Sequence, residues 1–374
     1  MDNQTNHQEV LVNGEPINGV LSIHSNPKTH SAATSINATD ILSEAKKLTS
    51  TEILQEEHQG LLIVKPANDW INQAKIRPTP KMLFSEFWFE GELCILFADT
   101  NTGKSILAVQ IANSISTGRS IPGFRLECEK QNVLYCDFEL SDKQFENRYS
   151  NEFSNHYHFN DNFYRIEINP DAETSLDQSF EEYLNQSLEL VLQSTQAKIL
   201  IIDNITYLTR ETEKAKDALP LMKKLKALKA KYNLSILALA HTPKRDLSKP
   251  ITRNDLQGSK MLINFCDAAF SIGESFKDKY LRYLKQIKAR NTEIIYDTGN
   301  VILCQINKPD NFLMFEMLGF GTERDHLKHF TAKDEEIQLD KVLALHEQGK
   351  SLREIGSELN ISHMKVRRIL KKNQ

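Results

Sequence analysis

Residues 94 to 105, CILFADTNTGKS, hold a lysine followed by a serine behind a glycine, at the end of an apolar run. The spacing from Ala98 to Gly103, Lys104 and Ser105 is that of a phosphate-binding loop, G-x-x-x-x-G-K-[ST], with alanine in the first glycine's place. Such a loop needs a strand to fix its start, small residues for a tight turn, and a helix whose N-terminal N–H groups face the anion. LCILFA supplies the strand, Gly103 the turn, and SILAVQIANSI (105–115) the helix. The backbone of Ala98, Asp99, Thr100, Asn101, Thr102 and Gly103 would cradle the phosphates of ATP. Lys104 would reach the β- and γ-phosphates, and the Ser105 hydroxyl would ligate Mg²⁺. Ala98 ends a strand, where one methyl is small and φ need not be positive.

Two carboxylates end other apolar runs. KILIIDNI closes with Asp203, placed to hold Mg²⁺ through water, or else to cap a strand and start a turn. NVLYCDFE closes with Glu139, placed to polarise a water as general base, or else to open the helix that SDKQFENRY suggests.

These groups need a scaffold. From about residue 60, short apolar runs (93–98, 132–139, 198–205, 234–241) alternate with amphipathic stretches such as 105–115 and 217–232. That pattern predicts an α/β fold, a parallel sheet covered on both faces. Four more closely spaced strand-like runs (268–273, 279–289, 301–307, 311–318) predict an antiparallel extension. Residues 1–58 carry eight acidic and three basic side chains, and the first aromatic is Trp70. This acidic, polar segment is expected to be disordered, with a short helix near DILSEAKKL. The polar stretch 321–335 reads as a linker.

Composition bounds the class. The 374 residues are 40% hydrophobic and 26% charged, with net charge −4, as for ordinary globular chains. No apolar run is long enough to span a bilayer, and the first residues lack the order of a signal peptide, so a cytoplasmic protein is expected. The five cysteines are scattered without a C-x-x-C pair, which fits buried thiols better than a metal site or disulfides.

The order and spacing of FADTNTGKS, YCDFELS, IIDNI, LALAHTPK with His241, DLQGSKML with Gly258 and Ser259, and LKQIKARN resemble the RecA-like ATPases of the plasmid RepA hexameric helicase type, the AAA_25 group. The resemblance covers about residues 65–320 and gives an ATPase domain bounded at 59–320. It implies that His241 senses the γ-phosphate and relays its state to DNA-facing loops; the alternative is a strand-end histidine bonded to backbone. It implies that Lys288 and Arg290 reach a neighbouring subunit's site as a basic finger, which requires a homo-oligomer, a hexamer by the resemblance; the alternative is a solvated strand end. It implies that the loop after His241, with Lys244, Arg245, Lys249 and Arg253, lines a channel for single-stranded DNA, although any exposed loop has this composition.

Residues 336–374 predict three helices, about 336–347, 351–359 and 363–372. Ser351 and Ser362 are placed as N-caps, Gly349 as a terminator, Asn360 in the turn, and Gly356 where two helices cross. Leu352, Ile355, Leu359, Ile361, Val366 and Ile369 would share a small core. The pattern resembles the helix-turn-helix of resolvases and many transcriptional regulators, which implies a recognition helix in the major groove of duplex DNA. Residues 361–374 carry Lys365, Arg367, Arg368, Lys371 and Lys372 and no acid, which suits phosphate neutralisation. His363, Lys365 and Arg367 would meet base edges, Arg368 and Lys371 phosphate; a basic hairpin for protein contact is the alternative. The combined expectation is a DNA-dependent ATPase or helicase of a plasmid or mobile element. An ATP-switched DNA-binding regulator is the second reading, and a small-molecule kinase the third.

Overall fold

The computed structural model describes residues 11–12, 15–16, 62–172, 179–208, 215–243, 245–256, 260–329, 332–359, 361 and 363–372. The expected features at residues 40–48, Lys244, Gly258, Ser259, Asn360 and Ser362 lie outside them. The chain divides into two units, 1–78 and 79–374. In the first, the helix Ala67–Lys75 contributes no buried residue. Burial of apolar side chains begins at Leu83, within the second unit.

The second unit is built on a nine-stranded sheet. Its strands are β1 (Leu93–Ala98), β2 (Val133–Asp137), β3 (Phe163–Ile166), β4 (Ile199–Asp203), β5 (Ser235–His241), β6 (Ala268–Glu274), β7 (Leu281–Lys288), β8 (Val301–Asn307) and β9 (Met314–Gly321). They stand in the order β9-β8-β7-β6-β1-β5-β4-β2-β3. The six strands from β6 to β3 are parallel, and β7, β8 and β9 extend the sheet antiparallel. The α/β fold with an antiparallel extension is as the alternation predicts. The short edge strand β3, FYRI, was not visible as a strand, because four residues, three half-buried and one exposed, make no period to detect.

Strand β1 is buried on both faces, so its residues serve two cores in alternation. Cys94, Leu96 and Ala98 pack with Leu107, Ala108, Ile111 and Ile115 of helix α1 (Lys104–Thr117). Leu93, Ile95 and Phe97 face the other way, in the core that holds Leu188 and Leu192 of α3 (Phe180–Thr195) and Leu221, Met222 and Leu225 of α4 (Ala215–Tyr232). The short helix α2 (Asp142–Arg148) follows β2, and α5 (Lys260–Phe265) precedes β6. All five cysteines are buried and free.

The expected linker at 321–335 is corrected at its start. β9 runs to Gly321, and a 3₁₀ turn, Glu323–His326, follows with Glu323 and His326 buried. Glu323 is polar in sequence yet fully buried, because Lys285 Nζ pairs with its Oε2 at 2.5 Å and Ile251 N donates to its Oε1 at 2.6 Å. A buried ion pair with its lone pairs filled is invisible to a polarity scan.

Beyond it lie α6 (Ala332–Glu347), α7 (Leu352–Glu358) and α8 (His363–Lys372). Val342, Ile355 and Val366 are their buried core, with Leu352, Leu359, Ile361 and Ile369 against it. Ser351 and Glu354 form a capping box at the start of α7. Gly356 has no room for a side chain, since a Cβ would stand 2.7 Å from Ile361 O.

Candidate functional site: a nucleotide loop at the strand ends

The loop between β1 and α1 turns through two left-handed residues, Asn101 (φ 61°) and Gly103 (φ 102°). Gly103 is required twice over. Besides its φ, a Cβ there would come within 2.8 Å of Ile306 Cδ1 and 2.9 Å of the Phe315 ring. Ala98 lies inside β1 in ordinary extended backbone and is buried, so the missing first glycine leaves the turn intact.

Lys104 is buried, and its Nζ donates to the carbonyls of Ala98 and Asp99, both at 3.0 Å, and to His241 Nδ1 at 3.2 Å. Burial lowers its pKa, and the nearby Asp203, Glu139 and Asp99 carboxylates oppose that shift. Asp203, at the end of β4, accepts from Tyr135 Oη at 2.7 Å and from the Ser105 hydroxyl. Burial pushes its carboxyl up to about 6 despite those two hydrogen bonds. A desolvated carboxylate beside a hydroxyl is a pair of hard oxygen donors, the type that Mg²⁺ takes. Ser105 and Asp203 therefore fit the metal, and Lys104, hydrogen-bonded to loop carbonyls and an imidazole with no carboxylate paired to it directly, fits the phosphates.

Glu139 stands two residues beyond β2 on a turn that is held from below. Asp137 Oδ1 accepts from Glu139 N at 3.3 Å and Leu140 N at 3.0 Å. Arg165, on β3, donates from Nε to Asp137 Oδ2 at 2.9 Å and from Nη2 to Leu140 O at 2.7 Å. The Glu139 carboxylate accepts from the Asn204 amide, and His241 Nε2 is 3.5 Å from its Oε1. The His241 hydrogen bond is the largest influence holding Glu139 below the usual glutamate range, burial acting against it. His241 Nδ1 stands 3.2 Å from Lys104 Nζ, and its Nε2 stands 2.9 Å from Asn204 Nδ2 and 3.5 Å from Glu139 Oε1. His241 and Asn204 thus lie between Lys104 and Glu139.

The structure brings together Lys104, Ser105, Glu139, Asp203 and His241. It does not bring Lys288 and Arg290 to them. β7 runs antiparallel to β6, with Lys288 beside Ala269 and Ala269 beside Ile95, so Lys288 lies at the end of the strands opposite the nucleotide loop, and Arg290 joins it there through Asp267. Lys288 Nζ donates to the carbonyls of Ile263 (2.6 Å), Cys266 (2.7 Å) and Asn264 (3.2 Å) at the end of α5. Arg290 pairs with Asp267 at 3.2 Å and stays half exposed.

Arg245, expected in a DNA-facing loop, is corrected. Its side chain is 6% exposed and its Nε stands 3.5 Å from Asp99 Oδ2 in the nucleotide loop. The neighbouring aspartate draws it inward, which local composition did not reveal. On α8, His363, Arg367, Arg368 and Lys371 are exposed and Lys365 is half buried. The sequence reading missed Asn204, Tyr135, Arg165, Asp137 and Thr242. Asn204 alone left a trace, since it directly follows the aspartate in IIDNI.

Among known proteins, residues 62–246 match the family model of an AAA domain, AAA_25. A solved KaiC-like protein from the hyperthermophilic archaeon Pyrococcus horikoshii is similar at 13% identity, over 61% of this chain and 91% of that one, with a TM-score of 0.43. No curated protein matches the chain. Among the described residues no helix is long and apolar enough to cross a membrane. Residues 62–246 thus resemble an AAA-type ATPase domain, on a mixed sheet whose phosphate-type loop follows its central strand.

Proposed function

We propose that the chain hydrolyses ATP as an oligomeric, DNA-associated motor of the hexameric helicase type, in replication or maintenance of a plasmid or mobile element. The observation that carries the ATPase part is the cluster Lys104–His241–Asn204–Glu139, which puts the lysine of the loop and the carboxylate of the next strand end within one set of polar contacts. In this reading Glu139, ionised at neutral pH, takes the proton of an attacking water. Lys104 leaves its loop carbonyls for the γ-phosphate, and His241 loses or keeps its ammonium partner accordingly. Asn204 and the Asp137–Arg165 pair keep Glu139 in place. Ser105 and Asp203 would hold Mg²⁺, which would supply neutralisation of phosphate charge. Arg290, half exposed at the far end, would have to leave Asp267 to reach a neighbouring subunit; Lys288 serves α5 instead.

The DNA part rests on α8, whose exposed His363, Arg367, Arg368 and Lys371 suit a recognition helix of a helix-turn-helix on duplex DNA. One observation favours the second reading, an ATP-switched DNA-binding regulator. Arg245 is spent on the nucleotide loop and Lys288 on a helix end, so two groups expected of a translocating ring are engaged elsewhere.

The test is steady-state ATP turnover with and without single-stranded DNA, beside duplex binding by wild type and an Arg367→Ala, Arg368→Ala variant. Stimulation by single strands, with duplex affinity lost in the variant, supports the motor. Turnover indifferent to single strands, with duplex affinity that depends on nucleotide, supports the regulator.

A further inference from the structure

Asp99 puts a carboxylate in the second position of a loop that would bind phosphates, a charge of the wrong sign for that task. The structure restrains it. Thr242 Oγ1 donates to Asp99 Oδ1, and the Arg245 guanidinium faces Oδ2. Arg245 Nε has no hydrogen-bond partner among the described residues, although the side chain is almost wholly buried. A buried cation aimed at the loop across a long 3.5 Å gap is a group whose partner is only partly supplied.

The segment that carries Arg245 is fastened along its length. Arg245 Nη1 donates to Lys249 O at 3.1 Å, and its guanidinium bonds the Tyr283 hydroxyl. Lys328 N donates to Leu247 O at 3.0 Å. Ile251 gives its N–H to Glu323 and receives Lys285 Nζ on its carbonyl at 2.7 Å. Residues 245–251 therefore form a bracket, set on the turn that leads to α6, and Arg245 is the end that meets the nucleotide loop.

We propose that Arg245 is a positioning residue for nucleotide binding. It neutralises Asp99 and turns that carboxylate away from the phosphates, from a bracket seated on the turn before the C-terminal helices. This inference rests on the reading that the loop binds ATP. It gives Arg245 a task in the loop's own subunit, and it requires no contact between Arg245 and substrate.

The test is the affinity for a fluorescent ATP analogue with Mg²⁺, displaced by ATP, in wild type, Arg245→Met, Arg245→Lys, Asp99→Asn and the Arg245→Met, Asp99→Asn double variant. Thermal melts check that each is folded. Arg245→Met should weaken binding about tenfold, the scale of one charge-assisted contact. Arg245→Lys should recover part of that loss, and the double variant should recover most of it, because removing the carboxylate removes the need for the cation. A merely structural arginine would not be rescued by a change at Asp99. Undiminished affinity in folded Arg245→Met, or a double variant as weak as the single, overturns the proposal. If Arg245→Met does not fold, Asp99→Asn decides: tighter binding supports the proposal and weaker binding overturns it. Wild type that binds no ATP overturns the ATPase reading and this inference with it, a result distinct from all the others.

Discussion

The two ends of the central sheet carry the same kinds of residue and use them in opposite ways. At the nucleotide end, Lys104 makes three contacts to loop carbonyls and an imidazole, and Asp203 is buried with its pKa pushed up to about 6. At the far end, Lys288 fills three carbonyls at the end of α5, while Asp267 accepts from Leu93 N, Lys229 and Arg290. The lysine of one set stands beside the Asp203, Glu139 and Asp99 carboxylates in a glycine-turned loop, and the lysine of the other caps the end of a helix. Charged side chains alone do not mark a site; titratable groups with shifted pKa values gathered at a loop of phosphate-binding form do.

The comparison breaks most visibly at Lys104. Lys104→Ala should lower ATP turnover at least about a thousandfold, the range lost with a group that stabilises phosphoryl-transfer charge. Its melting temperature should not fall, since a desolvated ammonium is removed; a matching loss of fold would make this lysine structural after all.

Next in size is a pH effect from two buried carboxyls, Asp203 at the nucleotide end and Glu92, which directly precedes β1 and accepts from Phe89 N at 2.9 Å. Burial raises Asp203 from 3.8 to about 6, and it raises Glu92 from 4.5 to about 7. Between these values the native protein holds protons that the unfolded chain has released, so stability falls as pH rises. Without Mg²⁺, the unfolding free energy should drop by on the order of 1–3 kcal/mol between pH 5 and 7. Added Mg²⁺ should recover the Asp203 share at pH 7. Denaturant melts across that window check the sign, and a rise with pH would refute it.

The far end makes the converse prediction. Lys288→Met should cost about 1–2 kcal/mol of stability, for three carbonyls left without their cation at a helix C-terminus. Turnover per folded molecule should stay close to wild type. A large loss of turnover in a fully stable Lys288→Met protein would return this lysine to the inter-subunit finger.

The smallest effect expected is at Arg165. Arg165→Ala loosens the turn that carries Glu139 and should lower kcat about tenfold while KM stays near wild type, a positioning effect. Arg165→Lys keeps one bond and should fall between. Equal loss in KM would mean that the turn contributes to binding rather than to placing the base.

Much of this was legible in the sequence, for reasons that differ by residue. Strands β1, β2, β4 and β5 announce themselves because both faces are buried and the runs are continuously apolar. The nucleotide loop is local, a strand, a turn and a helix within twelve residues, so a short motif contains it. The capping box at Ser351 and the crowded Gly356 are local too. What escaped depends on partners distant in the chain. Arg165 meets Asp137 across 28 positions, and Arg245 turns inward to Asp99 across 146. Glu323 hides among polar neighbours until Lys285 and Ile251 close on it. Long-range ion pairs leave no period in a sequence, and so a loop that looks basic and exposed can be a buried bracket.

The most direct test of the central claim, that Glu139 is the base of an ATPase, is Glu139→Gln in a single-turnover experiment with ATP and Mg²⁺. The account predicts ATP binding at or near wild-type affinity and cleavage slowed by about a hundredfold or more. Cleavage at the wild-type rate would contradict it and would move the role of base to another group at the strand ends.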